Sequence, residues 1–233
     1  MGAWRVSFQI GWQAAKANAM PMAVLWAVAV GLAIGYYRVP GVAAVLEPLR
    51  VWQGEHDFAG AFYGRVFFCG LVPGVFMMCV PAIRPRRPLA TIVAQSLWCG
   101  AWGLYYVCFY RWMSNWFGND AELATLVKKT VCDMLVWSAF VMVPLNAVFF
   151  FWVGHGLSFA QSRAAWPRRF LREVYLPNLV TNMCIWTPVM MAVYAFPLAL
   201  QIHFGGLAGS FWSLVLLYQN AHAGRHDAES GVR

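Results

Sequence analysis

Five long stretches of the chain contain no aspartate, glutamate, lysine or arginine, and they limit what the sequence can fold into. Four of them, of 21, 18, 23 and 29 residues, lie between Lys16 and Arg38, between Arg65 and Arg84, between Arg87 and Arg111, and between Asp133 and Arg163. The fifth covers residues 174–224 and holds 51 residues. Because about 20 apolar residues in a helix cross the hydrocarbon core of a bilayer, each of the first four predicts one transmembrane helix.

The fifth stretch is long enough for two crossings if the chain turns midway. Gly205 and Gly206, which follow the polar residues Gln201 and His203, are the best turn residues within it. The predicted fold is therefore all-α, a polytopic transmembrane bundle of about six spans that forms a single transmembrane domain over residues 1–233. One long tilted helix in place of the last two would give five.

Composition supports this fold class and excludes others. Of 233 residues, 61% are hydrophobic and 11% are charged, whereas a soluble domain carries about 25% charged residues. Disordered, collagen-like and nucleic-acid-binding proteins are excluded, because each needs charge, repeats or solvated loops that this chain lacks. The lipid bilayer is the predicted partner. The six cysteines lie mainly in apolar runs without a CxxC pair, which favours buried thiols over disulfides or a metal site.

The basic residues are clustered between the apolar stretches and predict the orientation of the spans. The predicted inner side carries eleven basic residues: Arg5, Lys16, Arg84, Arg86, Arg87, Arg163, Arg168, Arg169, Arg172, Arg225 and Arg233. The other six basic residues lie on the predicted outer side, among them Arg50, Arg65 and Arg111. Both termini are therefore expected on the cytoplasmic or matrix side. Short interfacial helices are predicted over residues 7–19 and 162–176, with a solvated loop as the alternative for the second.

Small residues recur every four positions on several predicted spans. Such spacing lets helix backbones approach closely in a membrane. The pairs are Gly31 and Gly35, Gly60 and Gly64, Gly70 and Gly74, Ser96 and Gly100, and Cys99 and Gly103. We expect contacts within one chain, with a homo-oligomer interface as the alternative. Prolines inside predicted spans free backbone carbonyls, which either line a water-filled path or are satisfied by neighbouring helices. These prolines are Pro73, Pro144, Pro188 and Pro197.

Polar side chains deep in apolar spans are candidate functional residues, because exposing them to hydrocarbon is costly. Asp133 opens the fourth span, and a carboxylate paired with Lys128 and Lys129 at the interface is the alternative interpretation. The other candidates are Asn178, Thr181 and Asn182, which share a stripe of the fifth span with Trp186, and Thr91 and Gln95 on the third span. Lining of a pore and hydrogen bonding between helices explain these positions equally well.

Catalytic and cofactor-binding motifs are missing from the sequence. It contains no HExxH, no GxSxG and no paired carboxylates within a span. His155 and His203 lie near predicted span ends, where a hydrogen-bonded imidazole is expected more often than a ligand. We therefore predict no cofactor and no enzymatic activity, and a membrane enzyme is the least favoured alternative.

The second half of the chain resembles the Mpv-seventeen/peroxisomal membrane protein family. The similarity covers residues 88–222, with a weaker similarity at Asn18-Ala19-Met20-Pro21. The matching residues include Lys128 and Lys129 before Asp133, Trp166 after Gly156-Leu157-Ser158, Trp186 within the run from Leu179, Pro197, Trp212 and His222. Residues 38–87 have no counterpart and are predicted to be an inserted loop with an additional span.

The chain departs from the family pattern at several polar positions. Met134 stands where glutamine is usual, Ala139 replaces a proline, and Met190 and Val193 replace an amide pair. The resemblance implies a channel-like, weakly selective pore for small solutes in a mitochondrial inner or peroxisomal membrane. A bacterial plasma membrane is equally compatible with the sequence. A non-conducting scaffold that binds partners is the alternative function.

Overall fold

The computed structural model describes residues 3–81, 84–85, 87–168 and 170–211, and the regular structure within them is entirely helical. This confirms the predicted all-α fold class. The helices are α1 Ala3–Ala17, α2 Ala19–Arg38, α3 Pro40–Arg65, α4 Val72–Cys79, α5 Pro88–Phe117, α6 Leu123–Cys132, α7 Val143–Gly154, α8 Phe159–Ala164, α9 Leu176–Ala195 and α10 over residues 198–211.

Within the described residues, four helical segments are long and apolar enough to cross a membrane. They are Pro40–Cys79, Pro88–Phe117, Leu123–Gly154 and Leu171–Ala195. Helices α1 and α2 together make a fifth if the pair, bent by 66°, counts as one span. These segments indicate a multi-pass integral membrane protein with four or five described crossings. The predicted sixth span lies largely beyond residue 211, outside the described residues.

The predicted turn at Gly205 and Gly206 is wrong. Both glycines lie inside α10, and the chain instead breaks at Phe196 and Pro197. Proline has no amide hydrogen and disfavours helical geometry in the residue before it, and Phe196 is accordingly extended, with φ −77° and ψ 155°. The stronger helix-breaking signal was therefore the proline, although it lies within the same apolar stretch.

The predicted loop at the start of the 38–87 insertion is helical. Helix α3 extends from Pro40 to Arg65 with one kink, because most of its charged side chains are compatible with an exposed helix surface. Asp57 breaks the regular geometry with φ 36° and ψ −104°. The part after Asp57, up to Cys79, is about 22 residues or roughly 33 Å long, which matches one bilayer crossing.

The predicted interfacial helix over residues 162–176 is also wrong as one continuous element. Helix α8 ends at Ala164, and residues 165–168 are not helical. Pro167 explains the interruption, because the residue before a proline is driven out of helical geometry. The N-terminal prediction is closer, since α1 covers most of residues 7–19.

The chain divides into two compact units. The first unit contains Met1–Val39 and Met113–Pro197, and the second contains Pro40–Trp112 and Leu198–Arg233. In the first unit, α1, α2, α6 and α7 pack against α9. In the second, glycines bring helices together: a Cβ on Gly74 would lie 2.7 Å from Ile92 Cγ1, and one on Gly100 would lie 2.5 Å from Phe62 Cε2.

In the described part of the chain, three π-helical stretches interrupt the longer helices, each at the same position relative to a proline. They are Val66–Leu71, Asp133–Met142 and Leu171–Tyr175. Each ends two residues before a proline, Pro73, Pro144 or Pro177, and the residue preceding each proline donates to the carbonyl five positions earlier. Because proline cannot donate, it ends the π pattern and leaves a carbonyl without a backbone partner.

Candidate functional site

Asp133 is buried in the first unit, at the junction between α6 and the π-helical stretch that follows. Only 3% of its surface is exposed. Its two carboxylate oxygens accept hydrogen bonds from Tyr194 Oη at 2.8 Å and Ser138 Oγ at 3.3 Å. Neither Lys128 nor Lys129 forms an ion pair with it among the described residues. The alternative of an interfacial carboxylate paired with these lysines is therefore wrong, because Asp133 points inward to hydroxyl donors.

Lys129 lies one turn earlier and is also buried, with 1% of its surface exposed. Its Nζ donates to Ser114 Oγ at 3.4 Å and lies 5.8 Å from the centre of the Tyr194 ring. Tyr194 thus contacts both charges, giving its hydroxyl to Asp133 and its ring face to Lys129. A cation over an aromatic face gains electrostatic stabilisation that increases when water is excluded.

The predicted stripe on α9 is present on one helix, but its members have different surroundings. Thr181 is half-buried and its hydroxyl lies 3.1 Å from the carbonyl of Gly11 in α1. Asn178 is exposed and donates to Val174 O in its own chain segment at 2.8 Å. Asn182 and Trp186 are half-buried. Only Thr181 therefore reaches a neighbouring helix by a described hydrogen bond, and a pore-lining role for the others stays a prediction.

Thr91 and Gln95 lie in the second unit, on α5, whereas the other four predicted polar residues lie in the first. Thr91 is buried. Gln95 Nε2 donates to the carbonyl of Cys69 at 3.1 Å. This carbonyl is four positions before Pro73, so the amide of Gln95 replaces the donor that the proline lacks.

Arg65, predicted from the sequence as a loop charge that sets topology on the outer side, lies inside the helical segment Pro40–Cys79, and its side of the membrane stays a prediction. It is buried in the second unit with 9% of its surface exposed. Its guanidinium lies 4.5 Å from the centre of the Tyr106 ring, and Nη1 is 3.9 Å from Cys69 Sγ. The sequence contains one signal for this burial. Arg65 directly follows Gly64, and the spacing of Gly60 and Gly64 predicts close helix packing.

His203 also differs from the prediction of a hydrogen-bonded interfacial imidazole. It is buried on α10, and its Nε2 has no hydrogen-bond partner within the described residues. The centre of its ring lies 6.1 Å from that of Trp52. His155 does follow the prediction, since its Nδ1 is 2.7 Å from Phe151 O.

The residues that carry the family resemblance are distributed over several elements of the first unit. Lys128 is exposed and Lys129 is buried on α6, while Trp186 is half-buried on α9. Trp166 stacks on Phe170 with ring centres 4.6 Å apart. Pro197 marks the break before α10, and Trp212 lies outside the described residues.

The structure offers no metal-binding group in the part of the chain that it describes, because no three histidine, cysteine, aspartate or glutamate side chains cluster there. Its six cysteines are all free thiols, of which Cys69 is buried. No family model, no curated protein and no solved structure matches the chain.

Proposed function

We propose that this chain is a multi-pass membrane protein that passes small solutes through a channel-like, weakly selective path. One observation carries the proposal: Asp133 and Lys129 are both buried in a single apolar segment, Leu123–Gly154, without pairing with each other. Ionisable residues inside membrane segments are costly and usually face a bundle interior or a water-filled cavity.

The resemblance to the Mpv-seventeen/peroxisomal membrane protein family supports the same function. Under this proposal Lys129 and Asp133, which belong to the resembling motif, lie beside the path, and Thr181 and Asn182 line its continuation along α9. The host membrane is a bacterial plasma membrane or a mitochondrial inner or peroxisomal membrane, and the chain is not an enzyme. These statements extend the proposal and depend on it.

Flux through proteoliposomes tests the path. We expect the purified chain to release entrapped radiolabelled mannitol faster than protein-free liposomes do. Asp133→Asn keeps the shape of the side chain and an acceptor for Tyr194 but removes its capacity for negative charge. For the cation choline, entrapped in the same way, we expect it to slow release by about tenfold or more, because a negative charge at a constriction is worth at least about 1.4 kcal/mol to the barrier of a cation, whereas release of uncharged mannitol should change less.

Asp120→Asn is the matched control, because it makes the same chemical change at an exposed position of the first unit. Asp120 lies in the loop before α6, where hydrogen bonds from the Thr125 side chain and the Glu122 amide hold the pKa of its carboxyl below the usual value. Its substitution should leave flux unchanged. Release of both solutes no faster than from protein-free liposomes would reject conduction, and equal choline release rates for wild type and Asp133→Asn would reject the assigned path.

A non-conducting scaffold is the second candidate, and hydrogen bonds between helices favour it. Trp26 Nε1 donates to Ile185 O at 2.9 Å, and Tyr37 Oη donates to Ala195 O at 2.5 Å, so both fasten α2 to α9. If this is the function, Trp26→Phe lowers the unfolding temperature in detergent, mannitol release stays at the liposome background, and crosslinking in membranes captures one defined partner.

A further inference from the structure

We propose that the second unit contains a binding site for a monovalent anionic group, with Arg65 as its charged residue and His203 as its second donor. The site is independent of the proposed conduction, because a protein that passes no solute can still bind an anion. Arg65 and His203 are each more than nine-tenths buried. Nε of Arg65 and Nε2 of His203 have no hydrogen-bond partner within the described residues.

The protein itself does not neutralise the Arg65 charge in the part that the structure describes. The ion pairs there join Glu47 to Arg50 and Asp57 to Arg111, and neither includes Arg65. Its contacts among the described residues are the face of the Tyr106 ring and Cys69 Sγ, and neither is a carboxylate. A guanidinium remains charged in any protein, so burying it without a negative partner is strongly unfavourable. A bound anion removes this cost.

Arg65 and His203 face the same region of the unit. The Nδ1 atom of His203 would lie 3.1 Å from a Cβ on Gly64, the residue directly before Arg65. Conversely, Nη2 of Arg65 would lie 3.0 Å from a Cβ on Gly205, two residues after His203. Each side chain therefore packs against a glycine within two residues of the other, and a Cβ at either glycine would crowd it.

Additional polar groups surround this region. The Tyr110 hydroxyl would lie 3.3 Å from the same Cβ position on Gly205 that Arg65 Nη2 approaches. Cys69 Sγ donates to the carbonyl of Gly206 at 3.4 Å, which holds α10 beside the π-helical stretch after Arg65. The site thus combines one fixed positive charge with neutral donors, and this balance suits a single negative charge better than two.

The anion has two possible sources with the same chemistry, a free inorganic anion or the phosphate of a lipid headgroup. Thermal unfolding of the full chain in a neutral detergent and gluconate buffer tests the first, with chloride or nitrate added at constant ionic strength and sulfate for comparison. Nanodiscs of phosphatidylcholine, with and without phosphatidylglycerol, test the second. Stabilisation by chloride in detergent identifies a free anion, and stabilisation by phosphatidylglycerol alone identifies a headgroup.

Arg65→Gln should remove the stabilisation, with a loss of affinity of at least about 30-fold, as expected when one partner of a buried charge pair is truncated. Arg111→Gln is the matched control, because Arg111 is exposed and already paired with Asp57 at 2.8 Å. It should retain the full effect. Equal anion responses in wild type and Arg65→Gln would overturn the proposal, as would the absence of a response in both media.

Two further measurements cover the remaining outcomes. If Arg65→Gln does not fold, equilibrium binding of radioactive chloride to wild type and His203→Phe decides for a free anion: saturable binding weakened at least about tenfold in His203→Phe supports the site, and unchanged binding in His203→Phe, or no saturable binding together with no stabilisation by phosphatidylglycerol, overturns it. Asp227 and Glu229 are acidic residues outside the described part. The double variant Asp227→Asn, Glu229→Gln tests whether one of them pairs with Arg65. If chloride stabilises this variant but not the wild type, the partner of Arg65 is a carboxylate of the protein and the proposal is wrong.

Discussion

At the scale of single residues, exposed and buried charges are stabilised in different ways. The exposed charges Arg50 and Arg111 form ordinary ion pairs with carboxylates. The buried charges instead contact tyrosines: Arg65 lies over Tyr106, and Lys129 lies over Tyr194. Desolvated cation–π contacts are worth about 2 kcal/mol, which offsets part of the cost of burial. Tyrosine also supplies a hydroxyl, and Asp133 uses one.

Glycines provide the sharpest residue-scale prediction. A Cβ on Gly70 would lie 2.5 Å from the backbone Cα of Ser96, which cannot move aside without shifting a helix, whereas a Cβ on Gly31 meets nothing within 4 Å. We expect Gly70→Ala to destabilise the protein by about 1–3 kcal/mol through overpacking. Gly31→Ala, the matched control, should be neutral or stabilise α2 by up to about 1 kcal/mol. Thermal unfolding in detergent measures both, and equal shifts would contradict the contact at Gly70.

The same two glycines show what sequence spacing can predict. The interval of four residues correctly indicated close packing at Gly70, Gly74 and Gly100, because small residues on one helix face permit backbone approach. Gly31 is exposed, so the expected contact within one chain is missing there, and the alternative of a homo-oligomer interface stays a prediction. Spacing identifies a helix face but not the element that covers it. For that reason Arg65 could be read as a loop residue from its charge, although its burial depends on α5 and α10.

At the scale of elements, prolines determine where the long helices change their hydrogen-bond pattern. The carbonyls freed near them are satisfied by side chains from other elements: Ser210 Oγ donates to Phe68 O, Gln95 Nε2 to Cys69 O, and Tyr175 Oη to Ala139 O. Of the two outcomes expected from the sequence, satisfaction by neighbouring groups is therefore the one seen at these carbonyls. The sequence located the prolines but could not identify the donors, since these are distant along the chain.

A double-mutant cycle tests whether Gln95 replaces the missing donor at Pro73. Gln95→Leu leaves the Cys69 carbonyl without its side-chain partner, and we expect a loss of about 1–3 kcal/mol in the free energy of unfolding. In a Pro73→Ala background, the new backbone amide can donate to the same carbonyl, so Gln95→Leu should cost about 1 kcal/mol less. Chemical unfolding in mixed micelles measures the four variants. Additive effects would show that the two positions are not coupled.

At the scale of the whole molecule, the loops at the ends of the candidate spans alternate in charge. Exposed arginines, Arg84 and Arg87, precede α5, and the acidic Asp120 and Glu122 follow it. The next candidate span, Leu123–Gly154, leads to the basic segment that contains Arg163 and Arg168. Because basic loops favour the cytoplasmic side, this order predicts that the two basic loops share that side and that the acidic loop lies opposite, although α3 is not the loop expected from the sequence.

Single cysteines introduced into a cysteine-free chain test this assignment. Pro81→Cys and Gln161→Cys place thiols in the basic loops, and Asn119→Cys places one in the acidic loop; all three positions are exposed. In intact bacterial cells, a membrane-impermeant maleimide should label Asn119→Cys at once and should label the other two only after permeabilisation. Labelling of all three from one side would mean that α5 and Leu123–Gly154 do not both cross the bilayer, because each crossing exchanges the side on which the next loop lies.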